Sequence, residues 1–169
     1  AENLLRSRDD SDAMVFWGED KVKNRLSHGD LYRQVAHFAA ALQDQGVVAG
    51  DRVAAYMPNL PETIVVMLAA ASLGAIFSSA SPDFGVQGVL DRFGQIEPKV
   101  LVAVDGYYYN GKIVDCLDRL AAITDGLPSV KRVVVVPYVH AHHDISHVHH
   151  ARMLVDFVKP FLAETEIPF

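Results

Sequence analysis

A chain of 169 residues, half hydrophobic, about a fifth charged and with a net charge of −6, has the composition of one soluble globular domain with a sizeable core. The acidic balance, without a stripe of Lys and Arg, excludes nucleic acid as the main partner, because neutralising phosphates requires clustered cations. The longest uncharged apolar run, 63–77, is shorter than the ~18 to 20 residues that span a bilayer and is broken by Ser72 and Gly74, so no membrane span is expected.

The first ten residues, AENLLRSRDD, lack the apolar segment of a secretory signal, and the lone Cys116 cannot form an internal disulfide. Both point to a reducing, cytoplasmic setting, with a small molecule as the default partner. After a weakly patterned stretch over 1–12, the runs 13–17 (AMVFW) and 22–26 flank Gly18-Glu19-Asp20-Lys21, which predicts a hairpin. Ser27 followed three residues later by Asp30 resembles a capping box with Asp in place of Glu. Leu31, Val35, Phe38 and Leu42 then recur at helical spacing, so an amphipathic helix is expected over 27–45, stopped by Gly46. His37 lies on this helix with no acid or nucleophile patterned beside it and is assigned no role.

From 51 to 112, short β-branched runs alternate with helical patterns, which implies parallel strands joined by helical crossovers. Strands are expected at 52–57, 75–78 and 99–104. Between the first two, Asn59 as cap, Glu62 near the start and Gly74 as stop predict a helix over 60–73. Its core, IVVMLAAASL, is apolar on nearly every face, so something must cover the face turned away from the sheet. Ser81-Pro82-Asp83 reads as the start of a helix running to Ile96, where Glu97-Pro98 ends it. Residues 105–112 read as a loop, and Ile113, Val114, Leu117, Leu120 and Ala121 as the next helix. KRVVVVPY, 131–138, is a fourth strand, buried on both faces. The expected organisation is thus an α/β subdomain over 1–137 on a largely parallel sheet, a His-rich loop over 138–150, and the beginning of a further segment over 151–169, with a weak helical period broken by Pro160.

Two motifs carry chemistry. Residues 106–112, GYYYNGK, match the phosphate loop G-x-x-x-x-G-K up to its final Ser or Thr, where Ile113 stands. Without that magnesium-binding hydroxyl, and with tyrosines where backbone should wrap phosphate, a nucleoside triphosphatase is disfavoured. A milder reading keeps Asn110 and Gly111 as a turn whose N–H groups, with Lys112, face an anion near a helix N-terminus. The alternative is an ordinary turn with a surface lysine. Tyr107, Tyr108 and Tyr109 then cover the carboxyl edge of the sheet. The second motif is VHAHHDISHVHH, holding His140, His142, His143, His147, His149 and His150, six of the eight histidines, with Asp144 among them. Imidazoles at this density can capture zinc or nickel, but no HExxH pattern or cysteine set fixes a geometry, so no required metal is expected.

The segments VFWGEDK, GDRVAAYMPNLPE, AAASLGAIFSSASPDFGVQGVLDRFGQIEPKVL and VDGYYYNGK closely resemble the N-terminal sequence of adenylate-forming acyl-CoA synthetases, specifically the acetoacetyl-CoA synthetases. The resemblance covers roughly 2–136 well and the tail from Leu154 loosely. It implies a reaction in which ATP and acetoacetate give an acyl-adenylate and diphosphate, with magnesium, and CoA then gives acetoacetyl-CoA and AMP. It also implies that the Ser/Thr/Gly-rich phosphate loop, the ribose-binding Asp and the catalytic lysine lie outside these residues, which makes this chain an N-terminal fragment, inactive alone, whose partner is the remainder of the synthetase chain. No catalytic residue is assigned.

By the same resemblance, the nucleotide end of CoA lies against Phe77, Ser78, Ser79, Tyr109, Lys112 and Val114. Ser78-Ser79 stands where similar acetyl-CoA synthetases carry a glycine pair, and Tyr109 where they carry an arginine, which leaves Lys112 as the phosphate contact. A free-standing module binding CoA or an adenine nucleotide without chemistry is the alternative. With later segments absent, an uncovered apolar helix face would favour self-association.

Overall fold

The computed structural model describes residues 1–140 and 144–169; His142 and His143 lie outside the described residues. The chain opens with an antiparallel hairpin, β1 (Asp12–Gly18) and β2 (Val22–Ser27), as the sequence predicts. Ser27 then caps α1 (His28–Asp44): its Oγ accepts the Asp30 N–H at 3.1 Å and donates to the Asp30 carboxylate at 2.9 Å. Asp30 thus bonds the cap hydroxyl, where the Glu of a full capping box would take the cap backbone N–H.

The strands β3 (Arg52–Tyr56), β4 (Ile76–Ala80), β5 (Val100–Val104), β8 (Arg132–Val136) and β9 (Ala151–Met153) form a five-stranded sheet in the order β4-β3-β5-β8-β9, and every pair is parallel. Alternation along these strands divides the core in two. Val53, Ala55, Val100, Val102, Val134 and Val136 face one layer, which contains α1, α2 (Pro61–Ser72) and Phe157 of α5 (Leu154–Val158). Ala54, Tyr56, Leu101, Ala103, Val133 and Val135 face the other, formed by α3 (Val86–Ile96) and α4 (Leu117–Asp125). Strands buried on both sides need continuous apolar runs, which explains RVVVV and VLVAV. The fold class is therefore α/β, a parallel sheet between two helical layers.

The all-round apolarity of α2 has in part an internal explanation. α1 packs against α2 in the same layer, so part of the cover that the sequence calls for is supplied within the chain, while Ile64 and Met67 stay half-buried and Ala71 exposed. α2 also begins at Pro61 after Leu60, so Asn59 is not its cap; proline at the first position fixes φ in the helical range and needs no N–H partner.

Two further expectations are corrected. The Ser81-Pro82-Asp83 stretch is a turn, and α3 starts only at Val86. The Pro82 and Phe84 carbonyls are turned toward Tyr56 and cannot serve a helix ladder. Likewise 106–115 is not a loop running into a helix but a second antiparallel hairpin, β6 (Gly106–Tyr109) and β7 (Lys112–Asp115). Ile113 and Val114 pair with Tyr108 and Tyr107, which suits β-branched and aromatic side chains, and α4 begins at Leu117.

The His-rich stretch leads into β9, a short strand that the sequence pattern hides. α5 follows and stacks Phe157 against Phe38 of α1, ring centroids 5.4 Å apart. Among the described residues, no helix is long and apolar enough to cross a membrane.

Candidate functional site

Taken in chain order, the sheet strands lie as 2-1-3-4-5, so the winding reverses between β3 and β5. Open α/β sheets gather ligands outside the carboxyl ends of their strands at such a reversal. Here much of that region is filled by the protein itself. The Tyr56 hydroxyl, fully buried at the end of β3, lies 2.8 Å from both the Pro82 and the Phe84 carbonyl oxygens. Arg119 of α4 donates to the same Pro82 oxygen at 3.0 Å, and burial raises the pKa of Tyr107 of β6 above its ordinary value. Burial pushes the Tyr56 pKa up to about 12, against a smaller opposing pull from Arg119. Arg119, which also donates to the Asp115 carbonyl at 3.3 Å, ties the turn after β4 to the hairpin after β5.

Asp105, also fully buried, closes the next gap. Its carboxylate accepts the backbone N–H groups of Tyr138 at 2.9 Å, Val139 at 3.2 Å and His140 at 3.3 Å. Its own N–H donates to Val136 O, and its carbonyl accepts from Cys116 N–H at 2.8 Å. One aspartate thus joins the exits of β5 and β8 to the entry of α4. The Cys116 thiol is buried beside it, and burial raises its pKa to about 11, so at neutral pH it is a protonated core side chain and not a nucleophile.

At the tip of the β6–β7 hairpin, Asn110 and Gly111 have φ of 50° and 73°, the left-handed pair of a two-residue type I′ turn. Both N–H groups of this turn are taken by a carboxylate of the protein itself. Asn110 N–H donates to Glu19 Oε1 at 2.8 Å and Gly111 N–H to Glu19 Oε2 at 2.9 Å. Glu19 sits at the tip of the first hairpin, itself left-handed at φ 44°. Lys112 follows directly, paired across the hairpin with Tyr109, and both are exposed. Its context differs from the expectation: Lys112 opens a strand at a hairpin tip and not a helix, and α4 begins at Leu117. Val114 is half-buried opposite Tyr107.

The remaining predicted site residues lie on β4, an edge strand. Phe77 is half-buried against the α1–α2 layer, Ser78 is half-buried and Ser79 exposed. The structure therefore groups Tyr109, Lys112 and Val114 on one hairpin and Phe77, Ser78 and Ser79 on one strand, and Arg119 bridges the Asp115 carbonyl of that hairpin and the Pro82 carbonyl of the turn after that strand. Glu19, Tyr56, Asp105 and Arg119 carry no sequence motif. The Asn110-Gly111 pair between β-branched and aromatic runs is, however, a hairpin signal that identifies the turn.

These donors and acceptors test what the edge can hold. Arg119 is engaged by Pro82, Asp105 by backbone, and the turn N–H groups by Glu19. Lys112 remains as a cation whose ammonium makes no ion pair among the described residues. That suits one phosphate of a nucleotide, and does not fit a triphosphate with magnesium. In the His-rich loop, His149 faces Asp125 at 3.1 Å and His147 faces Asp118 at 3.6 Å. Among the described residues no group of three or more His, Cys, Asp or Glu could hold a metal ion.

The sheet is parallel with helical layers on both faces, and its own loops partly wall in the carboxyl ends of its strands, where open α/β sheets gather ligands. The sequence profile of AMP-binding enzymes matches residues 2–153, and the chain belongs to that family. Among its relatives are acetoacetyl-CoA synthetases: that of Rhizobium meliloti (strain 1021) is 56% identical over 138 residues, covering 82% of this chain and 21% of the relative. That of Xenopus tropicalis is 42% identical, covering all of this chain and 27% of the relative. The solved acetoacetyl-CoA synthetase from Streptomyces lividans superposes with a TM-score of 0.88 at 35% identity, over 99% of this chain and 25% of that one. The chain thus spans about a quarter of the length of the relatives it matches.

Proposed function

We propose that this chain is the N-terminal part of an acetoacetate–CoA ligase, contributing a surface for the nucleotide end of CoA and leaving adenylation to residues elsewhere in the protein. In the whole enzyme ATP and acetoacetate give acetoacetyl-adenylate and diphosphate, and the CoA thiol displaces AMP to give acetoacetyl-CoA. The single observation that carries the reading is the extended similarity to acetoacetyl-CoA synthetases, 56% and 42% identity in two of them. ATP with magnesium supplies the phosphoryl chemistry of the first step, and the residues of this chain have no part in holding it. Their role is to bind and orient: Lys112 meets a CoA phosphate, Tyr109 and Val114 flank it, and Phe77, Ser78 and Ser79 line the neighbouring strand.

A charge-assisted contact at an exposed site is worth ~1 to 2 kcal/mol, so Lys112→Ala in the full-length protein raises KM for CoA roughly 5- to 30-fold. ATP–pyrophosphate exchange with acetoacetate, which needs no CoA, serves as the reference. Equal losses in both half-reactions would show that Lys112 supports the fold and not CoA.

A further inference from the structure

The contact between Glu19 and the Asn110-Gly111 turn joins two hairpins that are 91 residues apart in sequence. Each carboxylate oxygen takes one backbone N–H, at 2.8 and 2.9 Å, a bidentate arrangement that only a carboxylate satisfies in full. The contact rests on a packed base. The Tyr138 ring stands edge-on to both Phe16 of β1, at 6.1 Å between centroids, and Tyr108 of β6, at 5.3 Å. Gly18, next to Glu19, lies so close under Tyr138 that a Cβ there would stand 2.2 Å from the hydroxyl oxygen. The first hairpin is thereby set at a fixed height against the second.

We infer that Glu19 is a positioning residue for the CoA step, a latch that fixes the β6–β7 tip and with it the direction in which Lys112 presents its ammonium. The inference rests on the reading that Lys112 meets a CoA phosphate. Two consequences follow from the geometry. The N–H groups of the tip are consumed by Glu19, so the incoming phosphate is met by the side chain of Lys112 and not by a backbone cradle. A type I′ tip held only by its own two strands is free to rock, whereas one held at both outward N–H groups delivers Lys112 in one orientation, which lowers the ordering cost of binding.

The test uses the full-length protein with Glu19→Gln, Lys112→Ala and the double variant. Gln keeps the length of the side chain but turns an NH2 group toward one backbone N–H. Glu19→Gln is expected to raise KM for CoA about 3- to 10-fold, the range for losing an exposed charge-assisted contact. Values of kcat and of pyrophosphate exchange should stay within about 2-fold, and deuterium uptake across 106–115 should rise. In the Lys112→Ala background, Glu19→Gln should add nothing, because the latch acts through that lysine. The latch is overturned if uptake is unchanged, if the Glu19→Gln effect persists in full without Lys112, or if Glu19→Gln lowers KM, which would make Glu19 a competitor of the phosphate. A Lys112→Ala effect with none from Glu19→Gln removes the latch alone. No effect of Lys112→Ala removes the CoA reading beneath it.

Discussion

Asp105 and Tyr138 meet across the carboxyl ends of β5 and β8, the buried Asp105 carboxylate accepting the Tyr138 backbone N–H at 2.9 Å. Val139 and His140 donate to the same carboxylate, so a single side chain holds the whole exit of β8. Asp105→Ala would leave three backbone donors, on half-buried Tyr138 and Val139 and exposed His140, without their carboxylate, with an expected loss of ~1 to 3 kcal/mol. Asp105→Asn retains one acceptor oxygen and should lose less. Thermal unfolding of the three forms checks the ranking.

Two glycines of the second hairpin should respond differently to alanine. A Cβ on Gly106 would stand 2.7 Å from the Val114 carbonyl oxygen, a backbone atom that cannot step aside without breaking the β6–β7 pairing. Gly111 has open space around it but φ of 73°, so its alanine suffers only the left-handed penalty. Gly106→Ala should cost ~2 to 3 kcal/mol and Gly111→Ala ~1 kcal/mol. Denaturant midpoints decide between this order and its reverse.

Arg119 and Tyr56 converge on the Pro82 carbonyl oxygen at 3.0 and 2.8 Å. Arg119→Ala leaves Tyr56 in place but releases the Arg119 link between the turn after β4 and the hairpin, at an expected cost of ~1 to 2 kcal/mol. Proteolytic nicking within 81–85 should rise several-fold over the unmodified protein, while nicking elsewhere stays constant. Uniform susceptibility would mean that the link is dispensable.

Alkaline pH should weaken the same region. Burial raises Cys116 from 9.0 to about 11 and Tyr56 from 10.0 to about 12. Both groups therefore hold their protons more tightly when folded. The sign follows: the associated stability is complete below about pH 9 and is lost as pH rises through the folded values. Iodoacetamide should leave Cys116 unmodified at pH 8 in the folded protein and label it quickly in denaturant. Rapid labelling of the native form at pH 8 would contradict the buried thiol.

The sheet is legible in the sequence because β-branched runs such as VLVAV and RVVVV have few other homes, and α1 because Ser27 and Asp30 advertise its start. What escapes is set by contacts between distant segments. Nothing local shows that Pro82 and Phe84 will turn their carbonyls to Tyr56, so Ser81-Pro82-Asp83 reads as a helix start. β9, three residues long, has no period to recognise and exists through its pairing with β8. The apolar sequence of α2 calls for a second cover, and α1 supplies part of it. At the candidate site, Asn110-Gly111 is legible as a turn, with an anion-facing reading beside that of an ordinary turn with a surface lysine, while the carboxylate that meets it, Glu19, lies beside the packed rings of Phe16, Tyr108 and Tyr138 and carries no motif.

The division of labour within the proposed ligase, with CoA contacts here and adenylation elsewhere, is tested most directly by ATP–pyrophosphate exchange with acetoacetate, run on the full-length protein and on residues 1–169 alone. Phosphoryl chemistry needs preorganised cations around the triphosphate, and the Arg119 and turn N–H donors of this chain are already engaged. The expected result is acetoacetate-dependent exchange by the full-length protein and none above background by the 169 residues. Exchange by residues 1–169 alone would contradict the division and place a complete adenylating site within them.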